Sequence, residues 1–133
     1  MADSGEKEIR SVIEETTDAL NEGDATKLDL LLSDRSGAIH IGTDPGERWT
    51  KQQLLSNIKE AISVGGNQLR AELDEIHVDI DGDLAWTEGT ARFVNEKGAQ
   101  RAVRITGVLV REGGRWKLAQ SHASIGVPNE ELF

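Results

Sequence analysis

Every helical periodicity in this 133-residue chain falls before Gly65-Gly66, and from Leu69 to Ser124 the pattern changes to alternation broken by tight-turn signals. Helices segregated from a run of hairpin-linked strands define an α+β layer rather than a parallel α/β sheet. Leu69, Ala71 and Leu73 alternate in one phase and Ile76, Val78 and Ile80 in the other. That one-residue slip near Asp74-Glu75 predicts a β-bulge, which bends the sheet. Asp81-Gly82-Asp83, Asn95 to Gly98 and Gly113-Gly114 are the turns. They separate further strands over Leu84 to Val94, Ala102 to Val110 and Trp116 to about Ser124.

Upstream, Asp3 and Glu6 have capping-box spacing, and Ile9, Val12, Ile13, Thr16 and Leu20 share a helical face until Gly23. Asp24 caps a short second helix carrying Leu28, Leu31 and Leu32, which Asp34 to Gly37 break. Ala38 to Gly42 reads as a short strand, followed by a Pro45-Gly46 turn. Thr50 and Gln53 form a second capping box, and Trp49 with Leu54 a hydrophobic staple, so a third helix starts at about Lys51. Its apolar face is Leu54, Leu55, Ile58, Ala61 and Ile62, and Gly65-Gly66 ends it. Three helices cover one face of the sheet. The other is solvated or buried against a partner, and the second option predicts a homodimer.

The length suits one domain spanning residues 1–133. Hydrophobic residues at 37% and charged residues at 29% fit neither a membrane protein nor a disordered chain. Twenty-four acidic against fifteen basic side chains leave a net charge of -9, which repels phosphate backbones and argues against nucleic acid. Without cysteine there is no disulfide, thiolate nucleophile or cysteine-zinc site. The polar start Met1 to Glu8 lacks a secretory pattern and no apolar run reaches membrane-spanning length, so a cytoplasmic protein with no membrane partner is expected. His40, His77 and His122 show no metal-ligand spacing, and the Gly-Gly pairs do not lead from strand to helix as a phosphate cradle must. Neither a metal nor a cofactor is expected.

The segments Thr106 to Val110, Gly113-Gly114-Arg115-Trp116-Lys117-Leu118 and Gln120-Ser121-His122-Ala123-Ser124 resemble the C-terminal signature of the nuclear transport factor 2-like superfamily. Gly42-Thr43-Asp44-Pro45-Gly46-Glu47-Arg48-Trp49-Thr50 and the ending Ser124-Ile125-Gly126-Val127-Pro128 look like its SnoaL-like branch. The resemblance implies a cone-shaped cystatin-like roll, with three N-terminal helices on the concave face of a strongly curved antiparallel sheet. It also implies dimerisation through the outer sheet face. The superfamily holds isomerases, dehydratases, polyketide cyclases and pocketed proteins without chemistry, so fold does not choose function. Ketosteroid isomerase uses a Tyr in its oxyanion hole, and this chain has no Tyr.

On the last strand, alternation places Trp116, Leu118, Gln120, His122 and Ser124 on one face. If Trp116 and Leu118 enter the core, Gln120 and His122 continue the row into the concavity. His122 is then either a general acid or base or a structural imidazole held by hydrogen bonds inside the cone. Arg104 shares a phase with Thr106, Val108 and Val110. Facing inward, it would steady a carboxylate or an oxyanion; facing out, it would pair with a surface acid. Trp49 is placed to stack on a flat ligand or to pack as the staple. Glu88 is expected outside, and His40 and His77 read as ordinary surface or interface histidines.

These residues support three readings. The first is a pocket protein that binds a small, largely apolar ligand without established catalysis, through Trp49, Arg104, Gln120 and His122. The second is an isomerase, dehydratase or cyclase in which His122 moves a proton. The third is a dimeric association module whose pocket is vestigial, filled by Trp49, Trp86 and Trp116.

Overall fold

A computed structural model describes residues 4–63 and 69–133. Its helices are α1 (Ser4–Glu22), α2 (Ala25–Leu31) and α3 (Lys51–Ser63). Its strands are β1 (Ile39–Ile41), β2 (Arg48–Trp49), β3 (Arg70–Asp81), β4 (Leu84–Val94), β5 (Gln100–Glu112) and β6 (Arg115–Ser124). A 3-10 turn follows at Asn129–Glu131. The six strands form one curled, unclosed sheet in the order β2-β1-β6-β5-β4-β3.

The local signals act through the chemistry expected of them. Asp24 Oδ1 accepts from the Lys27 backbone N–H at 3.0 Å and caps α2. At α3 the capping box closes both ways: Gln53 Oε1 accepts from the Thr50 N–H at 3.0 Å, and Thr50 Oγ1 from the Gln53 N–H at 3.3 Å. The capping role of Asp3, the side chain of Ile62 and the stop at Gly65-Gly66 lie outside the described residues.

The helices and the concave side of the sheet enclose one core, with Ile9, Leu28, Leu32 and Leu109 fully buried and Trp116 and Leu118 nearly so. Long-range hydrogen bonds fasten α1 across the sheet. Glu8 accepts from the Trp116 backbone N–H at 2.9 Å, and Arg10 donates to the Ile76 carbonyl at 2.7 Å. The α2 exit is anchored as well, because Ser33 N–H donates to the Leu118 carbonyl at 2.9 Å.

Two register shifts bend the sheet. One lies between Leu73 and Glu75 of β3, where the slip in alternation placed it. The other has no counterpart in the sequence pattern. Val108 pairs with Gln120 but Leu109 pairs with Leu118, leaving Ala119 as an extra residue in β6. The sheet is also mixed, not wholly antiparallel: β1 runs parallel to β6, with Ile39, His40 and Ile41 opposite Gln120, Ser121 and His122. Hairpin signals identify sequential neighbours, whereas β1 pairs with the most distant strand.

Candidate functional site

The space between α1, α3 and the concave side of the sheet holds a cavity of about 470 Å³. Its wall is mostly apolar, with Ile13 and Leu20 from α1, Leu54 and Ile58 from α3, and Leu73, Phe93 and Leu118 from the sheet. Several polar side chains around it have backbone partners. Asn21 exchanges two hydrogen bonds with Ala71, Thr17 donates to the Ile13 carbonyl, and Asn57 donates to the Gln53 carbonyl.

His40 is bonded through a side chain instead. Only 4% exposed, it lines the cavity from β1, and its Nδ1 lies 2.8 Å from Ser121 Oγ on β6. The parallel register sets these residues side by side. Burial, aided by the nearby Lys51 charge, pushes the His40 pKa down to about 4, so the imidazole is neutral at neutral pH. Its Nε2 and the Thr16 hydroxyl are, among the described residues, the buried side-chain polar atoms without a hydrogen-bond partner. Both residues line the cavity.

Lys51, at the start of α3, is buried and fully engaged. Its ammonium donates to the Asp29 and Leu32 carbonyls at 2.9 and 3.1 Å and pairs with Asp29 Oδ1 at 2.9 Å and Asp34 Oδ1 at 2.7 Å. Burial alone would pull the Lys51 pKa down, but the Asp34 and Asp29 hydrogen bonds and charges outweigh it and hold the pKa above its usual value. The Lys51 hydrogen bond and charge keep Asp34 below the ordinary carboxylate range. This amine clamps α3 to the end of α2 and is spent on that task.

A family model for the SnoaL-like domain matches residues 9–128, nearly all of this architecture and every cavity-lining element. The chain belongs to the SnoaL-like domain family. Solved structures share the fold of this SnoaL-like domain at low identity. A nuclear transport factor 2-like protein of unknown function from Pseudomonas putida KT2440 is 21% identical with a TM-score of 0.81, over 98% of this chain and 92% of that one. A Streptomyces avermitilis protein of the same superfamily, proposed to be a dehydratase, is 21% identical with a TM-score of 0.71, over 96% and 99%. A Xanthomonas campestris domain, proposed to be a calcium/calmodulin-dependent protein kinase II association domain, is 19% identical with a TM-score of 0.72, over 96% and 91%. A comparison with curated proteins found no match.

Within this SnoaL-like domain the expected site residues separate. Trp49 lines the cavity, half-buried on β2 opposite His40. His122 also lines it, as an exposed residue beside Ser121 and Ala123. The expected single row from Trp116 to His122 is broken by the extra residue at Ala119, so Gln120 is exposed and absent from the wall. Arg104 is likewise exposed and off the wall. Its strand packs through Val103, Ile105, Gly107 and Leu109 rather than through the β-branched set that includes Thr106 and Val108. Gly107 hides that phase in the sequence, since it gives no side chain to count. The Thr87 and Leu118 side chains close over it, 3.0 and 3.2 Å from where a Cβ would stand.

His40 is not the surface or interface histidine its flanking isoleucines suggested; it is the most enclosed polar group of the cavity wall. His77 is exposed and bonded to Glu75 at 2.7 Å, and Glu88 is exposed on the strand beside it. Among the described residues no cluster of His, Asp and Glu has the arrangement of a metal site, and no helix is long and apolar enough to cross a membrane.

Proposed function

We propose that this domain binds a small, largely apolar molecule in the cavity between its helices and its sheet. The observation that carries this reading is the cavity itself, about 470 Å³ with an apolar wall and a few convergent polar groups. Trp49 and His122 contact the ligand from partly exposed positions, and His40 from the buried wall. Native mass spectrometry of purified protein tests the proposal by weighing any retained molecule. Titration with apolar probes, followed through Trp49 fluorescence, tests it in solution. A protein that retains nothing and answers no probe refutes it.

A second reading is an isomerase-, dehydratase- or cyclase-type enzyme, favoured by imidazoles on the cavity wall and by the proposed dehydratase among its structural neighbours. With His122 as the acid or base, His122→Ala lowers turnover of a substrate by at least about a hundredfold without unfolding. The association-module reading draws support from the Xanthomonas neighbour and from Trp86 and Leu84, which are 44% and 43% exposed. We propose a homodimer through this outer sheet face. It leaves the cavity free, since Trp86 is outside, Trp116 is in the core, and Trp49 alone among the three lines the space.

A further inference from the structure

The hairpin of β1 and β2 sets a carboxylate and an indole on the cavity side of the sheet. His40 lines the cavity and pairs with Trp49, and the Gly42 N–H donates to the Glu47 carbonyl at 2.9 Å, which carries the ladder past Ile41 and Arg48. Alternation gives Gly42 the phase of His40 and Glu47 the phase of Trp49. Gly42 has no side chain, and the Glu47 carboxylate fills the place one would take, with Oε1 2.7 Å from where a Gly42 Cβ would stand. Gly42, Glu47 and Trp49 all line the cavity. Arg48, between the last two, has the opposite phase, is exposed and is absent from the wall.

This carboxylate is held in place yet keeps a free oxygen. Oε1 accepts from the Asp44 N–H at 2.8 Å, whereas Oε2 has no partner among the described residues. Nor is Oε2 sealed off: Glu47 is half-buried, and the buried side-chain atoms without partners are those of Thr16 and His40. The described cavity wall has no lysine or arginine, and Glu47 is its one carboxylate. The chain as a whole, at a net charge of -9, draws cations toward it.

Resting on the small-molecule reading above, we infer that the ligand is a cation, an organic amine whose ammonium head pairs with Glu47 Oε2 beside the Trp49 indole while its apolar body fills the cavity. The carboxylate supplies a charge-assisted hydrogen bond and the indole a cation–π attraction. Alternate residues of a strand stand about 6.5 Å apart, so one ammonium group can touch both side chains. An anionic head finds no counter-charge on this wall, and an unpaired charge in an apolar space is strongly disfavoured.

Three molecules of matched shape test this: naphthylmethylamine, a cation at neutral pH, its neutral isostere naphthylmethanol, and the anion naphthoate. Each is titrated into the wild-type protein by calorimetry at low salt. The amine is expected to bind at least about tenfold more tightly than the alcohol, and naphthoate more weakly than either. Added salt should shrink the advantage of the amine and leave the alcohol unchanged. Glu47→Gln retains an acceptor for the Asp44 N–H, so the hairpin should stay closed. It is expected to bind the alcohol as the wild type does and to lose the preference for the amine. If the variant does not fold, the wild-type ratio and its response to salt decide. Equal binding of amine and alcohol, tightest binding of naphthoate, or a preference for the amine that survives in Glu47→Gln overturns the inference and leaves the cavity reading standing. If none of the three binds, both fail together.

Discussion

Gly89 of β4 lies against the backbone carbonyl of Glu75, so close that a methyl group on Gly89 would collide with that oxygen. The contact sits beside the Asp74 bulge, where β3 changes phase and turns its edge toward β4. Backbone closes the space, so no rotamer relieves the clash. Gly89→Ala is expected to destabilise the fold by about 1–3 kcal/mol, as overpacking does. The measurement is a lowered urea midpoint at unchanged slope. Gly37, with nothing within 4 Å of its would-be Cβ, is the control, and Gly37→Ala should be neutral or slightly stabilising.

His40 makes stability depend on pH in a defined direction. Its folded pKa of about 4 lies below the 6.5 of an unconstrained imidazole, so the unfolded chain binds the proton more readily. The stabilisation is fully present above pH 6.5, declines as pH falls toward about 4, and is lost below it. The full effect is roughly 3 kcal/mol. His40→Asn removes this segment of the profile, so the wild-type minus variant difference, measured by urea unfolding across that range, isolates it from other carboxylates and histidines.

Lys51→Met should act at two places. It strips the donor from the Asp29 carbonyl and from the buried Leu32 carbonyl, at a loss of about 1–3 kcal/mol. It also removes a positive charge that helps keep His40 neutral, so the His40 pKa should rise toward its ordinary value. Following the His40 ring protons by NMR during an acid titration checks the second effect independently of the first.

Trp86→Glu tests the proposed homodimer. The side chain is 44% exposed on the outer face, so the protomer should keep its fold while the subunits separate. Sedimentation velocity reads the mass and circular dichroism the fold. A variant with the wild-type sedimentation coefficient would argue against this face.

Which features the sequence disclosed follows from how local their causes are. The α3 capping box and the β3 bulge are written in nearby residues: Thr50 and Gln53 bond each other, and the slip from Leu73 to Ile76 is visible in alternation. Ala119 is different. Nothing in Leu118-Ala119-Gln120 marks an extra residue, because the shift exists only in the pairing with Val108 and Leu109 of the partner strand. Once Ala119 is inserted the alternation shifts by one residue, so Ser121 and Ala123 turn inward where Gln120 was expected, while His122 stays at the exposed margin of the cavity. His40 was misjudged for a related reason. Its surroundings come from α1, α3 and β6, and the parallel pairing with Ser121 has no local signature.

That pairing joins positions 81 residues apart. A chain emerging from the ribosome has synthesised all three helices and most of the sheet before Ser121 exists, so the two halves of the polar pair cannot meet until nearly the whole of this domain has been made. Contacts of such separation are made late and slowly. The hollow between helices and sheet is therefore a product of completed folding, closed only once β6 has joined β1.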